Sequence, residues 1–91
     1  MRPVRIPITE VIDLHAFRPE DYPDLIEDYL AECLRLGFTT VRIIHGKGMG
    51  FQRRRVRELL GLNPRVAAFR DAPPEAGGWG ATVVDLNPRM P

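Results

Sequence analysis

The chain has 91 residues, of which 44% are hydrophobic and 27% charged, with a formal net charge of +1. These fractions are typical of globular proteins and exclude a disordered tail, a collagenous repeat and a disulfide scaffold. The single cysteine, Cys33, can neither close an intramolecular disulfide nor build a thiolate zinc site. No apolar run is long enough for a membrane span, and the first residues lack the apolar stretch of a secretory signal. We therefore expect one cytoplasmic domain over residues 1–91, with its core over about 9–86, short flexible termini and no membrane partner.

The charges are unevenly distributed along the chain. Between Glu10 and Glu32 there are eight carboxylates and one arginine, whereas between Lys47 and Arg57 there are five cations and no carboxylate. An acidic segment followed by a basic one indicates a molecule that turns one side toward a polyanion.

Apolar periodicity predicts four strands and two helices in the order β-α-β-α-β-β. The strands are expected over 10–14, 39–44, 66–70 and 81–86. The first helix is expected within 18–37, beginning at Asp21 or Tyr22 and ending at Gly37, and the second over 51–60.

Alternation of strands and helices implies right-handed crossovers between parallel strands, with the last strand antiparallel. The second strand is rich in β-branched residues and is expected to be buried on both faces. The predicted fold is an α/β two-layer sandwich, with a mixed four-stranded sheet and both helices on one face.

Both histidines of the chain follow predicted strands that one helical crossover joins. Since ligands of open α/β sheets bind beyond the carboxyl ends of strands, we expect His15 and His45 at one sheet edge, with Asp13 on the same face as His15. Imidazoles beside a carboxylate are typical of general acid–base chemistry. The alternatives are that each histidine only bonds a loop backbone and that Asp13 only accepts N–H groups of its turn.

A glycine-rich segment, HGKGMG, follows the second strand and opens the second helix. Backbone N–H groups and the positive helix end attract phosphate at such a position, and Gly46, Gly48 and Gly50 permit its close approach. Lys47 adds a cation within this loop. The segment is neither a Walker loop nor a dinucleotide-binding GxGxxG motif, so a connector without a ligand is the alternative.

Arginines dominate the start of the second helix. Arg53 and Arg57 are four residues apart and align on one helix face, which we expect to be exposed, while Arg54 points elsewhere. These three side chains are the predicted phosphate contacts on the helix, and a solvated face is the alternative. Trp79 lies between glycines at the start of the last strand, where it is predicted either to stack on a base or to cover the sheet edge.

Three motifs, IDLHAF, IIHGKGMG and GGWGATVVDL, resemble the small MutS-related (Smr) domain in their order and in the helices between them. The resemblance covers about residues 9–86. Ala16 stands where the usual LDLHG motif of the family has glycine, and the chain looks like a stand-alone bacterial type with a DLHTF-like first motif. Carried over residue by residue, the family's functional positions are Asp13, Leu14 and His15 in the first motif and His45, Gly46, Lys47 and Gly48 in the second.

The resemblance implies a fold similar to the C-terminal domain of bacterial translation initiation factor three and an endonuclease that nicks DNA or cleaves RNA. Asp13, His15 and His45 would then be catalytic. The residues leave open whether a divalent metal or another cofactor takes part, and they leave the oligomeric state open. A non-catalytic DNA- or RNA-binding module is the competing hypothesis, and an adaptor that binds proteins through the acidic helix is a third.

Overall fold

The computed structural model describes residues 9–89 and places four strands and two helices in them. In chain order these are β1 (Val11–Asp13), α1 (Tyr22–Arg35), β2 (Thr40–Ile44), α2 (Phe51–Gly61), β3 (Val66–Asp71) and β4 (Ala81–Leu86). Single 3-10 turns connect them at Leu14–Ala16, Pro19–Asp21, Pro74–Ala76 and Gly78–Gly80. The predicted order and the α/β class are confirmed. The predicted flexible ends fall largely at residues 1–8 and 90–91, outside the described residues.

The sheet has the strand order β1-β2-β4-β3. β1 and β2 are parallel, and β4 is antiparallel to both of its neighbours, which confirms the predicted direction of the last strand. Because β4 runs against β2, its first residue, Ala81, pairs with the last residue of β2, Ile44. The glycine-rich segment before β4 therefore lies beside the glycine loop that follows β2.

Both helices cover the same face of the sheet, as predicted. Ile26 and Leu30 of α1, Leu60 of α2, Ile43 of β2 and Val84 of β4 belong to one buried cluster. Burial of these apolar side chains is the main contribution to folding. Within residues 9–89, no helix is both long and apolar enough to cross a lipid bilayer.

On the opposite face of the sheet, β2 is more exposed than its β-branched residues predicted. In β2 the side chains alternate, with Val41 and Ile43 buried against the helices and Thr40 exposed on the other side. On that outer face, Asp85 accepts a hydrogen bond from Arg70 at 2.7 Å and one from Thr40 at 3.2 Å. The expectation that β2 is buried on both faces is wrong, since no second helical layer covers this face within the described residues.

Glycine determines where α1 ends. Gly37 has φ +86°, and the N–H of Phe38 donates to the Cys33 carbonyl at 2.9 Å, so the chain turns out of the helix there. α1 begins at Tyr22, one of the two predicted start residues, and ends at Arg35, two residues before the predicted stop at Gly37. In β3, a bulge between Val66 and Ala68 shifts the register, so that Ala68 pairs with Asp85 and is exposed.

Candidate active site

Asp13 and His15 form a hydrogen-bonded pair where β1 ends. The chain turns at Leu14–Ala16, and the Asp13 side chain caps this turn by accepting the His15 N–H at 2.9 Å. The same oxygen, Oδ1, lies 2.7 Å from His15 Nδ1. The buried side chain of Leu14, between them, anchors the turn in the core. Both partners of the pair stay accessible to a ligand, with side chains 58% and 68% exposed respectively.

The contacts of Asp13 determine which nitrogen of His15 is available. Hydrogen bonds from the His15 N–H and ring hold the pKa of the Asp13 carboxyl below its ordinary value of 3.8. Asp13 is therefore an anionic acceptor at neutral pH, and His15 Nδ1 must carry the proton between them. Nε2 of a neutral His15 is left with a free lone pair, as a general base requires.

Gly46 lies directly against the His15 ring. A Cβ built at position 46 would be 3.2 Å from His15 Nε2, and Gly46 has φ +83°. The positive φ favours glycine here, and the close approach leaves little room for a side chain. The glycine loop thus forms the wall that faces His15 Nε2.

A pocket of about 220 Å³ opens between the first turn and the glycine loop. The pocket is lined by His15 and Phe17 after β1, by Tyr22 at the first position of α1, and by Gly46–Gly48 and Gln52 on the other chain segment. The pocket thus contains an imidazole, loop backbone and apolar rings. Gln52 and Phe17 were not singled out from the sequence: Phe17 belongs to the IDLHAF motif but was given no role, and nothing in the sequence around Gln52 relates it to His15.

His45 also borders this pocket, but its ring is buried and both ring nitrogens are bonded. Nδ1 lies 2.9 Å from the Gly46 carbonyl oxygen, and Nε2 lies 2.9 Å from Thr82 Oγ1. Because a carbonyl only accepts, Nδ1 carries the proton, and Nε2 accepts the Thr82 hydroxyl hydrogen. The two histidines therefore reach one pocket in different states: the His15 ring is open to a ligand, and the His45 ring holds the loop. A catalytic role for His45 stays a prediction.

Thr82 is a site residue that the sequence analysis missed. It is fully buried in β4, and its hydroxyl donates to Nε2 in the His45 tautomer that the Gly46 carbonyl sets. In the same region, the Gly80 carbonyl accepts the N–H groups of His45 at 3.1 Å and Gly46 at 2.9 Å. The start of β4 thus holds the start of the glycine loop, a contact that depends on strand order.

Three consecutive N–H groups of the glycine loop have no hydrogen-bond partner within residues 9–89, and they belong to Lys47, Gly48 and Met49. α2 begins immediately afterwards at Phe51, with no side-chain cap on its first turn. Free N–H groups next to a helix N-terminus form a favourable environment for an anion. The exposed Lys47 side chain adds a positive charge at the same loop.

The arginines of α2 divide into two groups. Arg53 and Arg57 both donate to Asp71 Oδ1 at the end of β3, and each side chain is only 22% exposed. The expectation that these two lie on an exposed helix face is wrong, because the edge of β3 packs against that face. Arg54 is 83% exposed, and Arg55 is half-exposed; both lie within ion-pair distance of Glu58. Arg54 and Arg55 are therefore the cations of α2 that a polyanion reaches most easily.

Trp79 packs against the beginning of α2. A Cβ at Gly50, where φ is +86°, would lie 3.0 Å from the indole ring, and the Arg53 guanidinium lies 4.7 Å from the ring centroid. The ring remains partly exposed. It therefore covers the loop and the helix start, and stacking on a base stays a prediction.

Within the described residues, no three His, Cys, Asp or Glu side chains converge as a metal-binding group. Asp13 and His15 are one carboxylate and one imidazole at the pocket, and His45 already uses both ring nitrogens.

His45 is expected to make stability depend on pH. Burial holds the pKa of His45 below the ordinary value of 6.5. The hydrogen bond to the Gly46 carbonyl raises this pKa in part, and the charges of Arg57 and Arg53 lower it again. The unfolded chain thus binds more protons than the folded one as pH falls through 6.5, so stability is complete above that pH and decreases below it. The limiting slope is about 1.4 kcal/mol of unfolding free energy per pH unit.

Urea unfolding at a series of pH values between about 5 and 7 measures this slope. His45→Gln should remove it. His15→Gln also removes one imidazole, but from an exposed position, and is the matched control. A slope that survives His45→Gln contradicts the buried, neutral state of His45.

Together the fold and the pocket define a class: a small α/β domain that holds an Asp–His pair against a glycine loop at the strand ends. A sequence profile of the Smr domain matches residues 12–87. Endonuclease MutS2 of Thermus thermophilus is 48% identical over 63 residues, which are 69% of this chain and 8% of that protein. Endonuclease MutS2 of Helicobacter pylori is 41% identical over 75 residues, or 82% of this chain and 10% of that protein.

Two solved structures share the fold. The Smr domain of Thermus thermophilus MutS2 superimposes with a TM-score of 0.82 and 40% identity, covering 88% of this chain and 100% of that one. YdaL, a stand-alone small MutS-related protein of Escherichia coli, superimposes with a TM-score of 0.75 and 29% identity, covering 89% of this chain and 66% of that one. The chain belongs to the Smr domain family. It spans about a tenth of the length of the MutS2 relatives that it matches.

Proposed function

We propose that this domain binds nucleic acid at the pocket between His15 and the glycine loop and hydrolyses a phosphodiester bond there. One observation carries the proposal: the exposed Asp13–His15 pair faces a loop that presents free N–H groups beside a cation. The names of the MutS2 relatives, which are endonucleases, agree with it.

In this proposal His15 is the general base. Nε2 takes the proton of the nucleophile, a water or a ribose hydroxyl, as the nucleophile's oxygen attacks phosphorus. The bond from phosphorus to the leaving oxygen breaks, and that oxygen receives a proton from solvent or from the imidazolium. Asp13 holds the ring through Nδ1 and stabilises its positive charge, while the N–H groups of Lys47, Gly48 and Met49 stabilise the negative charge on the phosphoryl oxygens.

His45 takes a positioning role here. Its Nδ1–H holds the Gly46 carbonyl and its Nε2 is held by Thr82, which fixes the loop against His15. Preorganised donors of this kind lose no energy to reorganisation during reaction. Arg53 and Arg57 hold α2 against the end of β3 through Asp71 and contribute to the local positive potential.

The second candidate function is a nucleic-acid-binding module without cleavage. The observation that favours it is that both ring nitrogens of His45 are hydrogen-bonded, so that within residues 9–89 His15 is the one histidine at the pocket with a ring nitrogen free to transfer protons. Incubation of the purified protein with end-labelled single-stranded RNA, single-stranded DNA and duplex DNA, with Mg²⁺ or with a chelator, separates the two. Cleavage of at least one substrate supports the nuclease; binding without cleavage in every condition assigns the module.

The exposed arginines of α2 are expected to set the salt dependence of binding. Replacing Arg54 and Arg55 by Ala should weaken binding to every sequence and reduce the log–log salt slope on duplex DNA by about 0.9 per lost phosphate contact. Anisotropy titrations at several salt concentrations measure the slope.

The matched control is Arg35→Ala with Arg70→Ala. These two arginines are also exposed and ion-paired, but they lie at the end of α1 and on the outer face of the sheet. The control changes the net charge equally and should leave most of the slope intact. Equal slopes for the two double variants would contradict a phosphate-binding role for α2.

A further inference from the structure

An exposed apolar patch borders the glycine loop. It consists of Met49 in the loop, Phe51 at the first position of α2, and Trp79 before β4. Phe51 is 70% exposed and Met49 is 85% exposed. Gly50 lies between Met49 and Phe51 in sequence, and the Trp79 ring lies against Gly50, so the three residues adjoin one point of the backbone.

The patch contributes little to the core. Neither Met49 nor Phe51 belongs to the buried cluster or to the side chains packed against it. α2 is held instead by Val56 and Leu60, which are fully buried. Exposed aromatic side chains carry a cost in solubility, and they often mark a site of interaction.

Charge beside the patch indicates what covers it. Lys47 and Arg54 are exposed on either side of Met49 and Phe51 in sequence, and the free loop N–H groups adjoin them. A ligand that fits must therefore carry negative charges next to flat apolar surfaces. Nucleic acid with unpaired bases has both, whereas the bases of a duplex are stacked and unavailable.

We propose that Met49, Phe51 and Trp79 form a base-contacting platform that makes this domain prefer single-stranded nucleic acid over duplex. Phe51 has the most exposed ring and is the main stacking residue. Trp79 has the Arg53 guanidinium over its ring and contributes its remaining exposed surface. This inference rests on the proposed nucleic-acid binding at the pocket but not on cleavage.

The test measures binding of three fluorescent ligands by anisotropy: a single-stranded oligonucleotide, its duplex, and the same strand with abasic sites in place of bases. Phe51→Ala should weaken single-strand binding about 5- to 150-fold, the range for loss of one stacked base. Binding of the duplex and of the abasic strand should stay unchanged, because only phosphates are contacted there. Phe51→Trp, which keeps a stacking surface, should retain single-strand affinity.

Leu62→Ala is the matched control, since Leu62 is an 83% exposed apolar residue at the other end of α2. It should change none of the affinities. The inference is overturned if Phe51→Ala weakens binding of all three ligands equally. It is also overturned if Phe51→Ala changes none of the affinities, which is the result expected if the patch contacts a protein partner. Wild-type protein that binds no nucleic acid overturns both proposals. A selective Phe51 effect without cleavage supports the platform and rejects only the nuclease.

Discussion

Replacing His15 by Ala is expected to slow cleavage by about 100- to 10,000-fold, the usual contribution of a general acid or base. Its ring is exposed and packs against the Gly46 backbone, so its loss should not weaken the core. Affinity for nucleic acid should change little, because the proposed phosphate contacts come from the loop and α2. Single-turnover cleavage together with anisotropy separates rate from affinity.

Asp13→Asn provides the second arm of this experiment. The amide keeps the shape of the side chain but removes the negative charge that holds His15 Nδ1–H. Cleavage should slow, while binding is retained. Full activity of His15→Ala would assign the reaction to another group. If Asp13→Asn lowers the stability of the protein but leaves the cleavage rate normal, Asp13 acts only as the cap of its turn.

Gly46→Ala is expected to slow cleavage, but by less than the roughly 100-fold associated with displacing a reacting group by about 1 Å, because the His15 ring has to shift by only a fraction of that distance. The new Cβ would lie 3.2 Å from His15 Nε2, so the ring must move away from the loop. The substitution also costs about 1–2 kcal/mol of stability, because the left-handed backbone disfavours a side chain.

Gly37→Ala isolates the backbone contribution. Gly37 has φ +86°, close to the +83° of Gly46, but a Cβ there would meet no atom within 4 Å. The two variants should lose similar stability in thermal unfolding, and only Gly46→Ala should lose activity. Equal rates for the two variants would contradict the close approach of His15 and Gly46 in the reaction.

The fold could be predicted from the sequence because its signals are local. The apolar positions of α1, the stop at Gly37 and the β-branched residues of β2 each depend on neighbouring residues, and the structure agrees with them. Strand order is a nonlocal property. The position of β4 between β2 and β3 could not be read from any single segment, so the bond from Thr82 to His45 was missed.

The candidate site was likewise predicted only as far as local signals allow. Strand ends placed both histidines at one edge, but their different burial depends on which strand lies beside each ring. Asp13 and His15 do meet, although their contact is the cap of a 3-10 turn and not the alternation of a strand. Helical spacing aligned Arg53 with Arg57, and only the folded chain brings Asp71 between them.

Where nucleic acid binds is tested most directly by NMR. Nitrogen-15-labelled His15→Ala protein, which is expected to bind without cleaving, is titrated with a short single-stranded oligonucleotide. The account predicts the largest amide shift changes at Lys47, Gly48 and Met49, whose N–H groups are free to bind phosphate. Largest changes on the outer face of the sheet, around Thr40 and Arg70, or along the acidic helix α1, would contradict it.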